Sequence, residues 1–304
     1  MGKVIIAIHG LGNKPPKEQL ETWGRKAIEE GLKNMNVRLK LPKFELVYWA
    51  DILYDRPQTI YEKNKESPYY LDEPYTPQPR HFKIESHNLR HKFVDYLRTL
   101  INEIFLKENY ELRYAFVSQK LLHNYFNELE IYFTKKCDKT VSINCEEKEA
   151  IINRLANILR KYKNDEILLI AHSMGTIIAF DVLSFIAEET GIHTFVTMGS
   201  PLGLPFVISR IARKSRKKNH GHIKLQTPES VYKHWYNFSD IQDKIALDYK
   251  LAEDFRVNSK GVKVIDKLVT NTYVMNGVAN PHKSFGYLRT PEFIRILSEF
   301  IKDK

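Results

Sequence analysis

The chain of 304 residues is 43% hydrophobic and carries 47 Lys and Arg against 37 Asp and Glu, a formal net charge of +10. Its length and apolar fraction suffice for one large α/β domain, or for a core with a cap. No apolar run approaches the eighteen or so residues of a membrane span, and Cys137 and Cys145 form no metal-ligand set and read as reduced thiols.

Met1-Gly2-Lys3 leads directly into a core-strand pattern, so no signal peptide is read and cytoplasmic residence is expected. Gly2 is a poor myristoylation signal because position six is Ile6. Lys3–Ile8 reads as the first strand, running into His9-Gly10-Leu11-Gly12-Asn13 and a proline pair. Glu18–Asn34 follows as a helix, with Leu20, Trp23, Ala27, Ile28 and Leu32 near helical spacing. Phe44–Trp49 is a second strand. The alternation then breaks. Residues 55–80, rich in proline, tyrosine and charge, read as a long irregular loop. Residues 88–135 carry two apolar stripes at helical spacing, from Phe93 to Phe105 and from Phe116 to Leu129. Such stripes suit packed core or the inner wall of a cap.

Layering resumes with a helix over Glu146–Tyr162. The run Ile167-Leu168-Leu169-Ile170 reads as a strand buried on both faces, and Thr176–Leu183 as the helix that follows. His193–Met198 is a further strand, leading into Gly199-Ser200-Pro201-Leu202-Gly203. Lys233–Phe238 and Val269–Met275 are read as strands, and Pro291–Ile301 as a closing helix. Strands alternating with helices imply a mainly parallel sheet with helices on both faces. The expected division is an α/β core of residues 1–54 and 142–304, with residues 55–141 as a helical insertion placed to act as a cap.

Between strand and helix lies Ala171-His172-Ser173-Met174-Gly175, a serine with very small residues two positions to either side. A serine on so sharp a turn is the geometry of an exposed nucleophile. A hydroxyl needs a histidine to take its proton and a carboxylate to orient that histidine. Ser239-Asp240-Ile241-Gln242-Asp243 follows one expected strand, and Asn280-Pro281-His282 follows the last, so the order is Ser, Asp, His. His282 is preferred over the other histidines for its place after the final strand.

These segments resemble the α/β-hydrolase superfamily, lipase and esterase branch. AHSMG is similar to the alanine-started elbow of some small bacterial lipases, IHGLG to the His-Gly oxyanion strand, and TMGSPL to the strand after the nucleophile. The resemblance covers most of residues 1–50 and 146–304. It implies carboxylic ester hydrolysis through an acyl-enzyme, lipid acyl esters among the substrates, with no metal or organic cofactor. It assigns Ser173 as nucleophile and His282 as base. Asp243-Lys244-Ile245-Ala246 fits the family's acid motif better than Asp240-Ile241-Gln242 does, so Asp243 is favoured and Asp240 is the alternative. The oxyanion donors are assigned to the backbone N–H groups of Leu11 and Met174, within a loop shaped by His9, Gly10 and Gly12.

Competing patterns are weaker. Gly10-Leu11-Gly12 lacks the third glycine of a dinucleotide fingerprint. His87 and His91 have helical metal-site spacing without a further ligand motif. Arg210, Arg213, Lys214, Arg216, Lys217, Lys218 and Lys224 form an acid-free stretch, read as a solvated loop or helix face or as contact with an anionic membrane or substrate. No nucleic-acid motif accompanies it, so nucleic acid is not an expected partner. The alternative to an enzyme is a non-catalytic protein of this fold that uses its helical insertion to bind other proteins.

Overall fold

The structure is a computed structural model that describes residues 2–72, 74–78, 145–243, 245–246 and 249–303. Six strands form the central sheet: β1 (Lys3–Ile8), β2 (Lys43–Val47), β3 (Glu166–His172), β4 (Ile192–Met198), β5 (Val231–Ser239) and β6 (Val264–Leu268). Every neighbouring pair is parallel, in the order β2-β1-β3-β4-β5-β6. The register levels their carboxyl ends. Ile8 pairs with Val47 and Ala171, His172 with Met198, and Met198 with Phe238. His9, Ser173, Gly199 and Asp240 therefore emerge along one edge.

Parallel strands need crossover helices, and both faces of the sheet are covered. On one face Val4, Ile6, Ile8, Ile167, Leu169 and Ala171 share a core with α3 (Cys145–Lys161), α4 (Met174–Phe185) and α5 (Pro205–Lys218). On the other, Ile5, Leu168, Ile170, Val196 and Met198 pack against α1 (Lys17–Asn34) and α8 (Pro291–Lys302). This alternation is the strand's period of two expressed as two cores. The start of α8 is set by Pro291 at the first helical position and by Thr290, whose side chain accepts from the Phe293 N–H. Its inner face buries Phe293, Ile294, Ile296, Leu297 and Phe300, each worth about 1.5–3 kcal/mol relative to exposure.

The chain passes from β1 outward to β2, then crosses back to β3 on the other side of β1. Helices depart in opposite senses at that point, which opens a crevice at the carboxyl ends of β1 and β3. The candidate nucleophile and the His9–Asn13 loop both sit there.

Short elements complete the described chain: α2 (Ala50–Leu53), α6 (Leu251–Asp254), the hairpin β7 (Val274–Met275) and β8 (Val278–Ala279), and α7 (Ser284–Leu288). One difference from the sequence reading stands out. The sixth strand is Val264–Leu268, not Val269–Met275. As an edge strand β6 leaves Ile265 and Leu268 exposed and includes Asp266 and Lys267, so it has no apolar run to announce it. The more apolar segment after it buries Val269 and Tyr273 outside the ladder and ends in the small hairpin. Of the two forms expected for the basic stretch, it is largely a helix, α5, anchored by Phe206, Val207, Ile208, Ile211 and Ala212.

Residues 55–72 and 74–78 form irregular chain with an isolated bridge between Thr59 and Tyr70. The two helices expected over 88–135, most of the 55–141 insertion, and Cys137, His81, His87 and His91 lie outside the described residues. Among the described residues no helix is long and apolar enough to cross a membrane.

Candidate active site

Ser173 stands between β3 and α4 with φ 54° and ψ −129°. A side chain in this left-handed region is strained by about 1–3 kcal/mol and persists only where its surroundings enforce it. The Ser173 N–H donates to the Met198 carbonyl at 3.0 Å. The Ser173 carbonyl accepts from the Thr176 N–H at 2.9 Å and the Thr176 hydroxyl at 2.7 Å. The turn also requires close approach. A Cβ on Gly175 would lie 2.7 Å from the His9 carbonyl oxygen, and one on Gly10 would lie 2.6 Å from Ser173 Cβ.

His282 Nε2 is 3.0 Å from Ser173 Oγ, and His282 Nδ1 is 2.8 Å from Asp243 Oδ2 and 3.0 Å from Oδ1. A neutral ring that donates from Nδ1 to the carboxylate leaves Nε2 to accept the serine proton. The structure therefore brings Ser173, His282 and Asp243 into one hydrogen-bonded line, across sequence separations of 109 and 39 residues. The side chain of Asp243 is fully buried. Its Oδ1 also accepts from the Ile245 N–H at 2.9 Å, and its Oδ2 from the Tyr287 hydroxyl at 2.7 Å. Asp240, the alternative acid, instead holds the loop together. It accepts from the Gln242 and Asn271 N–H groups, each at 2.7 Å.

Three supporting residues escaped the sequence reading. The Tyr287 hydroxyl donates to Asp243 and accepts from the Asp240 N–H at 3.0 Å, tying both carboxylate positions to α7. Burial, and then the Asp243 charge, push its phenol well above the usual range, so it stays a donor. Gly199, at φ 55°, lies beneath the pair. A Cβ there would meet Asp243 Oδ2 at 2.8 Å and His282 Nδ1 at 2.9 Å. Asn280, through Oδ1, accepts from the His282 N–H at 3.0 Å. Their only signals were membership of a buried apolar helix, a glycine after a strand, and an Asn-Pro turn.

His172, beside the nucleophile in the turn, supports the neighbouring loop. Its Nε2–H donates to the His282 carbonyl at 2.6 Å, fixing the loop that carries the candidate base. Burial, and then the adjacent His282 ring, hold its pKa well below the ordinary histidine value. His9 is also neutral, with its pKa lowered to about 3 by burial and secondly by the Lys14 charge. Its Nε2 accepts from the Trp49 N–H at 3.0 Å, so the proton is on Nδ1, which donates to the Gly10 carbonyl at 2.8 Å. The ring stacks on Trp49 at 4.8 Å.

Because C=O and N–H point oppositely across a trans peptide, drawing the Gly10 carbonyl toward His9 turns the Leu11 N–H away from it. Lys14 Nζ binds the carbonyls of Leu11, Gly12 and Asn13. Met174 opens α4, where first-turn N–H groups lack an intrahelical acceptor and the helix dipole favours negative charge. Neither Leu11 N–H nor Met174 N–H donates to a protein acceptor among the described residues. Both flank Ser173.

These groups open into a cavity of about 540 Å³ between the His9–Pro15 loop and residues 54–72, lined also by Leu20, Trp23, Tyr70 and Phe285. No cluster of three or more His, Cys, Asp or Glu suited to a metal occurs among the described residues. The basic stretch lies elsewhere. From Pro205 to Lys218, α5 spans about 21 Å at 1.5 Å per residue. Lys218 reaches the Ser184 carbonyl and Glu188 past the far end of α4, and Lys214 pairs with Asp181. The charged end of α5 thus sits toward the sheet's amino edge, beyond a Debye length of about 8 Å from Ser173.

No known family model matches the chain, and no curated protein matches it in sequence.

Proposed function

We propose that the protein is a serine hydrolase of α/β-hydrolase type that cleaves carboxylic esters through an acyl-enzyme. The observation that carries this reading is the Ser173–His282–Asp243 line ending on a serine in left-handed backbone. A serine held in that strain, aimed at a histidine and open to a cavity, is built for nucleophilic attack.

In the proposed reaction Ser173 Oγ attacks the ester carbonyl carbon while His282 Nε2 takes its proton. The carbonyl electron pair moves to oxygen, where the Leu11 and Met174 N–H groups stabilise it. The intermediate collapses, and the alkoxide leaves with the proton held by His282. Water then repeats the sequence on the acyl-enzyme and releases the acid and Ser173. Asp243 orients the imidazole and offsets its transient positive charge. The preference for esters, lipid acyl esters among them, rests on the resemblance, because the same line would serve thioesters and amides. Cytoplasmic residence and a cap role for residues 55–141 belong to the same proposal.

The test is labelling with a fluorophosphonate, followed by peptide mass analysis. One adduct is expected, on Ser173, with Ser173→Ala lowering ester turnover by several orders of magnitude. An adduct on Ser200 or Ser239, or none on the folded protein, would refute the proposal.

A further inference from the structure

The cavity beside Ser173 carries charge that ester hydrolysis does not need. Lys14, Lys65 and Lys283 line it, and Asp72 is the one carboxylate among its lining residues. Lys283 directly follows His282, and its ammonium lies 5.7 Å from the centre of the Phe285 ring on the cavity wall. Lys65 extends from the opposite loop and makes no side-chain hydrogen bond or ion pair among the described residues. The field of two of these cations, Lys14 and Lys283, reaches the floor of the site. Lys14 acts on both His9 and His172, and Lys283 on His172, each disfavouring protonation.

Such a field works against the imidazolium that His282 must become during acyl transfer. It becomes an asset when the substrate brings negative charge of its own, since a concave, partly apolar site focuses the field on the ligand. Part of the cavity wall is apolar and aromatic, formed by Leu20, Trp23 and Phe285.

We propose that the cavity takes an amphiphilic ester bearing an anionic group, phosphate or carboxylate, held by Lys65 and Lys283 with its apolar part against Trp23 and Phe285. The ester component rests on the hydrolase reading, whereas the preference for an anion does not.

The experiment measures equilibrium binding to the full chain through Trp23 fluorescence. Trp49 and Trp235 are buried and Trp23 is only partly so, and Trp23→Phe serves as the signal control. The probes are 4-phenylbutanol, 4-phenylbutyrate, 4-phenylbutyl phosphate and inorganic phosphate. At low salt the anionic amphiphiles should bind about tenfold more tightly than the alcohol. That advantage should shrink as salt rises from about 0.01 M to 0.15 M and the screening length falls from about 30 Å to 8 Å. In the Lys65→Gln/Lys283→Gln variant it should fall below about threefold, while Lys217→Gln on the distant helix should keep it.

A larger advantage for the phosphate than for the carboxylate, or the reverse, supports the proposal and names the headgroup. Equal affinity for alcohol and anions would overturn it, as would an advantage undiminished in the double variant. Inorganic phosphate binding as tightly as phenylbutyl phosphate would overturn the amphiphile. Because no turnover is read, a protein that prefers anions yet fails to acylate Ser173 loses the hydrolase reading alone.

Discussion

His9 makes the folded protein sensitive to acid in a way that can be calculated. The ring is 7% exposed, and its folded pKa of about 3 lies about 3.5 below the ordinary value of 6.5. An unfolded chain takes up a proton at this residue below pH 6.5, whereas the folded chain resists until about pH 3. The stabilising contribution is therefore complete above pH 6.5 and is lost as pH falls through that window. At 1.36 kcal/mol for each unit of pKa difference, the loss is about 2 kcal/mol by pH 5 and about 4 kcal/mol by pH 3. The perturbation is His9→Asn, whose amide can still donate to the Gly10 carbonyl, with His9→Gln as a second variant able to accept from the Trp49 N–H. Urea unfolding followed by tryptophan fluorescence gives the free energy at pH 7.5, 6.0, 5.0 and 4.5. Both variants should be less stable than wild type at pH 7.5, and the gap should close by about 1.4 kcal/mol per pH unit below 6.5. His172 steepens the fall in all three proteins alike, so the difference isolates His9. Parallel curves would show that His9 is not held neutral in the folded state.

Tyr287→Phe removes a hydrogen bond to a buried carboxylate and strands the Asp240 N–H, so stability should drop by about 2–4 kcal/mol. Ester turnover should fall about tenfold as Asp243 loosens, and wild-type turnover would dismiss the positioning role. Asp243→Asn should lower turnover on the order of 10⁴-fold. Asp240→Asn should chiefly lower the urea midpoint, and a reversal of these two outcomes would transfer the acid role to Asp240. Gly175→Ala places a methyl against the His9 and Ile8 carbonyls, 2.7 and 2.9 Å away. Backbone cannot swing aside, so about 3 kcal/mol of stability should be lost, and an unchanged urea midpoint would contradict the packing at the elbow.

Much of the architecture was legible in the chain because burial on both faces leaves a local mark. β1 and β3 are short apolar runs, and α1, α3 and α8 repeat their apolar residues at helical spacing. The elbow was legible for a related reason. A serine forced to positive φ between a strand and a helix tolerates only small residues at Ala171 and Gly175. The edge strand β6 left no such mark, since half of its residues face solvent, and the neighbouring apolar segment drew the assignment away from it.

The assembly of the site was decided by tertiary structure. Sheet order places the ends of β1, β3, β4 and β5 side by side, so residues far apart in the chain meet at one edge. Nothing local to Tyr287 announces that it spans Asp240 and Asp243, nor does Gly199 show that the Asp243 and His282 side chains lie over it. His172 supports the His282 loop across 110 residues of sequence. The direction of α5 had the same origin. The helix after β4 returns antiparallel to its strand, so a basic stretch that directly follows a site loop in sequence ends at the opposite edge of the sheet. Periodicity reports which side of an element is buried, whereas the partner that buries it is set by how the elements stack.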